Sequence, residues 1–410
     1  MERVIERGAG LDVHKKSVTA CVRVPGPAGS RRQEVQTFGT TAAALLTLRD
    51  WLQAHGVTHV AMESTGVYWK PVYYVLEEVV TCLLVNAAHV SKVPGRKTDV
   101  RDCEWLAQLL EHGLLRGSFV PPVAIRELRD FTRYRAVLVQ DRTREANRLH
   151  KVLTDAGIQL ASVASNVLGK SGRAMLTALV DGTTDPAVLA DLAQGHLRRK
   201  LPALREALTG HFRPHHASLV SQLLAHLDYL DEALGVLTAD IEAALTPFAG
   251  EAARLDAIPG VGARTAEILI AELGVDMRQF PTARHVASWA GLCPGTHESA
   301  GKRRAVRTGK GNRWLRGALI EAALAAVNVR DSALAARYRR LRPRCGHKKA
   351  IVAVAHKMLT TAYLLLADGR TYQEPGASYY DARRKDRDIR RALHTLERSG
   401  YRVSLDPAAA

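Results

Sequence analysis

Two aspartates, Asp99 and Asp102, are spaced so that a helix would carry both carboxylates on one face. At that spacing their Cβ atoms lie roughly 5–6 Å apart. Like charges so close repel unless a cation lies between them, and a hard divalent ion is the natural partner of oxygen ligands. Arg96 and Lys97 precede the pair and would attract a phosphate to that ion. The alternative is an ordinary helix start, with Asp99 as N-cap and Asp102 in the favourable first turn.

Two further acids, Asp12 and Glu63, lie in or directly after segments with strand patterns. The sequence predicts one strand over residues 9–14 and a short buried strand over 58–62. A carboxylate inside an apolar strand is costly unless it is paired or bound to metal. Together with the two aspartates, these acids would suit two divalent ions about 3.5–4 Å apart, which activate a phosphodiester for in-line attack.

The elements that must position these acids form an α/β pattern. Three strands joined by short turns predict a meander over residues 9–38. A helix, a short strand, a second helix and another strand follow over residues 41–85. A basic linker then leads to the helix that carries Asp102.

The charge of the chain indicates a polyanionic partner. The 410 residues carry a formal net charge of +17, and nucleic acid is the usual partner of so basic a chain. The five cysteines are an odd number without a CxxC pair, which argues against a disulfide framework and a cysteine zinc site. No signal peptide opens the sequence. We therefore expect a cytoplasmic protein.

The middle and late parts of the chain are predicted to be helical. Residues 126–155 form a long Arg-rich pattern, and residues 220–241 carry an apolar seam sustained for about three heptads. The seam is expected to pack on the 126–155 helix, to form a dimerisation coiled coil, or to do both, and we favour the combination. Residues 169–210 between them predict a helical insert. The apolar run at 350–367 predicts a core helix, with no membrane partner.

A turn at residues 258–262, Ile-Pro-Gly-Val-Gly, resembles a helix-hairpin-helix. Gly260 and Gly262 permit positive φ, and backbone N–H groups beside a helix start can bind a phosphate. The alternative is an ordinary turn between two helices. The basic chain favours contact with DNA.

Ser299 lies in a small loop that is followed by a series of cations. A serine hydroxyl that attacks phosphorus needs exposure, a flexible loop and cations to hold the scissile phosphate. By residue type alone, an ordinary loop serine is the better interpretation. The cations that would contact nucleic acid are Lys302, Arg303, Arg304, Arg307, Lys310 and Arg313.

Motifs at both ends of the chain resemble one family. The acids stand in Gly-Leu-Asp-Val-His-Lys-Lys-Ser, Ala-Met-Glu-Ser-Thr-Gly-Val-Tyr-Trp and Gly-Arg-Lys-Thr-Asp-Val-Arg-Asp. Near the end, Gly-Leu-Cys-Pro, Ser-Ala-Gly-Lys and Lys-Gly-Asn-Arg-Trp-Leu-Arg follow one another over residues 291–316. These motifs resemble the DEDD insertion-sequence transposases of the IS-one-ten (IS110) family, also called bridge-RNA-guided recombinases.

The resemblance implies a fold, a set of ligands and a nucleophile. It implies an N-terminal RuvC-like domain of RNase H type, and Mg²⁺ or Mn²⁺ held by the four acids Asp12, Glu63, Asp99 and Asp102. The nucleophilic serine of the family carries over to Ser299. Ala300 departs from the family pattern, in which glycine is common, and Ser288 is a distant second choice.

The resemblance also implies partners and an assembly. We expect donor and target double-stranded DNA, a structured noncoding guide RNA, and a homo-oligomer that is a dimer or, on DNA, a tetramer. The expected fold class is α/β plus mostly α: a RuvC-like domain at 1–125, coiled-coil helices with an insert at 126–250, and a helical transposase domain with the helix-hairpin-helix at 251–367. A charged tail at 368–410 follows.

Two rival functions remain open at this point. A metal-dependent junction-resolving endonuclease would need the four acids and water, without a covalent serine intermediate. A non-catalytic nucleic-acid-binding regulator would retain binding after loss of all four acids. The intact acid set argues against the regulator, and the serine loop argues against the nuclease.

Overall fold

The computed structural model describes residues 3–401 apart from 65, 87–101, 296, 297, 300, 301 and 304–307. For residues 28, 298, 299, 302, 303 and 380–388 it describes the backbone alone. The chain divides into two compact units, Met1–Pro121 and Pro122–Ala410. The fold is mixed α/β and mostly helical, with one small mixed sheet near the N-terminus, as expected for the fold class.

The first unit is built on a five-stranded sheet in the order β3-β2-β1-β4-β5. Its strands are β1 (Gly8–Val13), β2 (Ser17–Pro25), β3 (Arg31–Gly39), β4 (His59–Glu63) and β5 (Thr81–Val85). The first three strands pair antiparallel, which confirms the predicted meander. The pairs β1–β4 and β4–β5 are parallel.

Helices cover both faces of this sheet. They are α1 (Ala42–Ala54), α2 (Trp69–Leu76) and α3 (Asp102–Glu111). Leu48 of α1 and Leu76 of α2 pack into one core with Leu11 and Met62 of the sheet. The opposite face of β1 and β2 is covered by α3. Strands β1 and β4 are therefore buried on both sides, as expected where parallel strands occur, whereas the edge strand β3 is largely exposed.

The second unit consists mainly of helices. They are α4 (Val123–Asp155), α5 (Leu160–Val163), α6 (Lys170–Val180), α7 (Pro186–Asp191), α8 (Leu201–Leu208), α9 (Pro214–Leu245), α10 (Ala249–Asp256), α11 (Ala263–Leu273), α12 (Ala283–Trp289), α13 (Arg313–Ala326), α14 (Ala333–Cys345), α15 (His347–Asp368) and α16 (Tyr379–Arg398). Two short strands, β6 (Glu298–Ser299) and β7 (Lys302–Arg303), form a hairpin between α12 and α13.

The predicted heptad seam lies on α9 and packs against α4 of the same chain. Leu138 of α4 forms a cluster with Leu230 and Leu237 of α9. Ion pairs such as Arg142–Asp231 follow the contact, and the two helices run antiparallel. The intramolecular hairpin therefore occurs, whereas a role of the seam in dimerisation stays a prediction. Helices α6–α8 lie within the predicted insert at 169–210, and with α5 they form a core that also includes Leu149 of α4 and Val220 of α9.

Helices α10–α15 share one further core. Of the helices in the described part of the chain, α15 is long and apolar enough by composition to cross a membrane. Its Val354, Met358 and Leu359 are buried in that shared core, as the sequence predicted for this apolar run.

Candidate metal and nucleophile sites

The register of the parallel pair β1–β4 places two of the predicted acids side by side. Leu11 is paired with Met62, so Asp12 and Glu63 are the next residues on adjacent strands. Side chains alternate between the two faces of a sheet. Leu11 and Met62 are fully buried on the face that α1 and α2 cover. Asp12 and Glu63 therefore lie on the opposite face, which α3 covers.

Small residues let α3 approach this face closely. A Cβ added to Gly10 would lie 2.2 Å from the carbonyl oxygen of Cys103 and 2.4 Å from the amide nitrogen of Ala107. A Cβ added to Gly8, one residue pair further back, would meet Leu110 at 3.2 Å. The helix thus runs antiparallel to β1, and its first residue lies towards the end of β1 that carries the acids.

The start of α3 brings a third acid to the same end of the sheet. Asp102 is the first residue of this helix and lies directly before Cys103. Burial raises the pKa of the Cys103 thiol to about 11, and the charge of Asp12 is a smaller contribution in the same direction. Asp12, Glu63 and Asp102 therefore lie at the same end of the sheet, on the side of α3, while Asp99, Arg96 and Lys97 lie outside the described residues.

The chemistry of this donor set suits a hard divalent cation. Its ligands are carboxylate oxygens, which Mg²⁺ and Mn²⁺ prefer. The site therefore fits the cation that the sequence predicted.

His14 is a neighbour of the acids that the sequence reasoning missed. Its Nε2 lies 3.0 Å from Oδ2 of Asp12, and the ring is largely exposed. The signal was present in the sequence, because residues two apart at the end of a strand lie on the same side. A histidine that hydrogen-bonds one carboxylate oxygen restricts how the other oxygen is presented.

The far end of α3 is anchored by a buried carboxylate. Glu111 is only 2% exposed and is held by three guanidinium groups. Its oxygens lie 2.8 Å from Arg23, 3.1 Å from Arg31 and 3.3 Å from Arg3. Since Arg23 and Arg31 belong to β2 and β3, this cluster fixes α3 along the sheet and so helps to hold Asp102 at the other end.

In the second unit, Ser299 lies on a β-hairpin rather than in an irregular loop. It is the last residue of β6 and pairs with Lys302 across the hairpin. Nearer the base, Pro294 forms an isolated bridge with Thr308. Of the predicted cations, Lys302 and Arg303 are described by backbone alone, and Arg304 and Arg307 lie outside the described residues.

The base of this hairpin is a close contact between two glycines. Gly291 has a φ of 69°. A Cβ added to Gly311 would lie 2.3 Å from the amide nitrogen of Gly291. The Gly-Leu-Cys-Pro and Lys-Gly-Asn motifs therefore meet where the chain leaves and re-enters the helical core. We call the paired strands β6 and β7, with the Pro294–Thr308 bridge nearer their base, the serine hairpin. Ser288, the second choice, is exposed within the regular helix α12.

The remaining predicted nucleic-acid contacts occupy two places in this unit. The guanidinium of Arg313 lies 4.4 Å over the ring of Trp314, and Lys310 is exposed. Gly260 has a φ of 84° and packs on α13, where a Cβ would lie 2.4 Å from the carbonyl oxygen of Ala322. Gly262 is the residue directly before α11, and a Cβ added to it would meet no atom within 4 Å. Packing therefore explains Gly260, whereas Gly262 is accessible.

A second group of possible metal ligands, which sequence reasoning missed, joins the ends of α4 and α9. One ligand atom each of Asp155, His215 and His216 lies within 4.8 Å of the others. Nδ1 of His216 accepts the N–H of Arg213 at 3.1 Å, so in the neutral ring Nε2 carries the proton and donates to Asp155, also at 3.1 Å. This arrangement is a helix cap that already uses both ring nitrogens.

Comparisons with known proteins agree with the sequence motifs at both ends of the chain. Residues 9–158 match a family model of DEDD transposases of IS110 type, described as "Transposase". Residues 252–339 match the model "Transposase IS116/IS110/IS902 family". The first match spans the converging acids, and the second spans the serine hairpin.

Curated relatives extend over most of the chain. The "Insertion element IS110 uncharacterized 43.6 kDa protein" of Streptomyces coelicolor is 29% identical over 304 residues, covering 68% of this chain and 73% of the relative. A "Probable family 20 transposase" of Pseudomonas aeruginosa is 28% identical over 339 residues, covering 80% and 89%. A "Pilin gene-inverting protein" of Moraxella bovis is 32% identical over 127 residues, covering 30% and 39%.

Proposed function

Because the chain belongs to the IS110 family of transposases, we propose that it exchanges DNA strands of a mobile element through a serine nucleophile assisted by a carboxylate-bound divalent metal. The family matches make it a DNA-recombining enzyme. The single observation that carries the proposal is the register of β1 and β4, which sets Asp12 beside Glu63 below the start of α3. The mixed sheet is consistent with a RuvC-like domain of RNase H type.

In this proposal Asp12, Glu63, Asp99 and Asp102 hold Mg²⁺ or Mn²⁺. When bound, the ion supplies a Lewis acid that polarises the scissile phosphodiester. His14 orients Asp12 through the 3.0 Å contact between its Nε2 and the Oδ2 of that aspartate.

Ser299 is the proposed nucleophile. Its hydroxyl oxygen bonds to phosphorus, the bond from phosphorus to one DNA strand breaks, and the departing oxygen takes up a proton as the hydroxyl loses one. The phosphoserine link conserves the energy of the broken bond. Attack by the hydroxyl of another strand then restores a phosphodiester and releases the serine.

The proposed partners follow from charge and family. The net charge of +17 suits contacts to nucleic-acid backbone, for which Lys310, Arg313 and the Gly262 turn are the described candidates. A structured noncoding RNA of the element would pair with donor and target DNA, so that the protein recognises shape and backbone rather than base sequence. The name of the Moraxella relative refers to gene inversion, which is also a strand exchange.

The proposed assembly is a homo-oligomer acting in the cytoplasm at the nucleoid. The carboxylate domain of one protomer and the serine domain of another would form a composite site. The seam on α9 is buried along its length within the chain, so the outer face of the α4–α9 pair would join the protomers.

The test is covalent trapping with purified protein, element RNA, matched donor and target DNA, and Mg²⁺. We expect a denaturant-resistant protein–DNA adduct that is abolished by Ser299→Ala, by Asp102→Asn and by chelation of the metal. Ser288→Ala is the matched control and should leave the adduct at the level of the unmodified protein. Cleavage without an adduct, lost in Asp102→Asn but kept in Ser299→Ala, would support a metal-dependent junction nuclease instead. Nucleic-acid binding without any cleavage would support the regulator.

A further inference from the structure

The carboxylate of Glu272, near the end of α11, is fully buried and joins three elements of the second unit. Arg133 of α4 donates to it twice, from Nε at 2.7 Å and from Nη2 at 2.8 Å. The side-chain amide of Asn312 donates to its Oε2. Arg129 lies 3.6 Å away and donates to the carbonyl oxygens of Ala271 and Glu272.

These contacts restrict the side chain of Glu272 to one place. A buried carboxylate is costly unless its lone pairs are satisfied, and a two-bond guanidinium pair is directional as well as strong. The bond from Asn312 occupies the oxygen that also faces Arg133. Glu272 therefore links α4 to Asn312, the residue directly before α13.

Asn312 is the residue through which the serine hairpin returns to the helical core. Its Oδ1 accepts the N–H groups of Trp314 and Leu315, which makes it the N-cap of α13. The preceding Gly311 is in close contact with Gly291, where the hairpin leaves the core. The amide group of Asn312 thus faces the helix with its oxygen and Glu272 with its nitrogen, so the end of the hairpin is fixed from both sides.

We propose that Glu272, acting through Asn312, is a positioning residue that sets the orientation of the serine hairpin for nucleophilic attack. The inference rests on the proposed role of Ser299 as nucleophile. It assigns Glu272 no contact with DNA, because the carboxylate is fully buried. A displacement of about 1 Å at a reacting group lowers the rate about 100-fold, so a modest change at the base of the hairpin is sufficient to affect catalysis.

Glu267 provides the matched control on the same helix. It is also buried, at 4% exposure, and it pairs with Arg135 of α4 and with Arg264. No contact joins it to Asn312 among the described hydrogen bonds and ion pairs. Glu267→Gln should therefore weaken the packing of α11 on α4 without changing the hairpin.

The experiment exchanges the two partners. Glu272→Gln and Asn312→Asp are made singly and together in the full chain. Asn312→Asp keeps the oxygen that caps α13 but sets a second carboxylate against Oε2 of Glu272. In Glu272→Gln the single side-chain oxygen can accept from Arg133 or from Asn312, so at least one of the bonds to the carboxylate is lost. In the double variant the amide at 272 can donate to the carboxylate at 312 while its oxygen accepts from Arg133. Adduct formation, nucleic-acid affinity, and the rate of tryptic cleavage after Lys302 and Arg303 are measured for all variants and for Glu267→Gln.

Each single variant should lower the rate of adduct formation about 100-fold at unchanged affinity. Loss of a charge-assisted hydrogen bond should raise tryptic cleavage within the hairpin about tenfold or more. The double variant removes the contact between two carboxylates, although Arg133 then keeps one of its two bonds. It should therefore recover relative to Asn312→Asp, about tenfold in adduct formation and about threefold in tryptic cleavage, and Glu267→Gln should change neither. Recovery by the exchanged pair is a result that a general loss of stability does not produce.

The two proposals fail in different ways. If Ser299→Ala retains the adduct, the nucleophile is wrong, while tryptic cleavage still tests the contact between Glu272 and Asn312. If Ser299→Ala abolishes the adduct but Glu272→Gln matches Glu267→Gln in both measurements, the positioning role is wrong. A double variant that is as impaired as Asn312→Asp also overturns it.

Discussion

Replacing Gly10 with alanine should displace α3 from the sheet and with it the start of the helix that carries Asp102. The new methyl group would lie 2.2 Å from the carbonyl oxygen of Cys103, where an ordinary Cβ contact begins at 3.4 Å. The difference is about 1.2 Å, and the opposing atoms are helix backbone that no side-chain rotation can move away. The helix must therefore retreat by about 1 Å.

Both the stability and the chemistry should respond to this displacement. Overpacking of a closely packed interior costs about 1–3 kcal/mol of unfolding free energy. A shift of about 1 Å between Asp102 and the acids of the sheet should lower metal-dependent strand cleavage about 100-fold. Binding of Mn²⁺, followed by calorimetry, should weaken as the oxygen ligands separate.

Gly39→Ala is the matched control for Gly10→Ala. Gly39 ends β3 of the same sheet, and an added Cβ would meet only the Cβ of Ala44, at 3.4 Å. This change should leave unfolding, metal binding and cleavage as in the unmodified chain. If Gly10→Ala equals Gly39→Ala in urea unfolding and in cleavage, the close approach of α3 does not position the acids, and the proposed metal site must be abandoned.

Three further changes test the anchoring of α3, the base of the serine hairpin and the pH dependence of stability. Glu111→Ala leaves the guanidinium groups of β2 and β3 without their buried partner and should cost about 3–5 kcal/mol in urea unfolding of the first unit; a loss below about 1 kcal/mol would contradict the anchoring role. Gly311→Ala should reduce adduct formation strongly while Gly309→Ala, which meets open space, should not, and equal activities would show that the hairpin base tolerates a side chain. Burial lowers the pKa of His356 below its ordinary value of 6.5, so the unfolded chain binds the proton first as the pH falls, and the stability present above about pH 6.5 is lost progressively down to the folded-state pKa. Between about pH 7.5 and 5.5, the melting temperature of His356→Gln should therefore fall less than that of the unmodified chain. Equal falls in the two proteins would exclude this histidine as a source of the pH dependence.

Local sequence patterns were sufficient for the elements and for the residue types of the sites. Alternation and turn residues predicted the antiparallel meander, and the heptad spacing predicted the long helix that packs on α4. Asp12 and Glu63 were recognisable because a carboxylate in an apolar strand is costly. The motifs around Ser299 were recognisable through the resemblance of the chain to a family, since a loop serine by itself carries little information.

Several roles within the sites depend on long-range contacts and were not accessible from local patterns. Gly260 was interpreted as a phosphate-binding glycine, yet its close contact is with α13. Asn312 stood in a recognised motif, but its bond to Glu272 joins residues 40 positions apart. His14 differs from these two, because it lies two residues from Asp12 and its contact was accessible from the sequence.

The sequence by itself determined which acids, serine and cations the chain offers, and which of them stand on strands, helices or turns, because those preferences act over a few residues. Only the tertiary structure decided that Asp12 lies beside Glu63 and that α3 runs antiparallel above them. The pairing of β1 with β4 joins segments about fifty residues apart. It depends on the burial of both sheet faces and on the absence of a side chain at Gly10, which are properties of the packed chain rather than of any one segment.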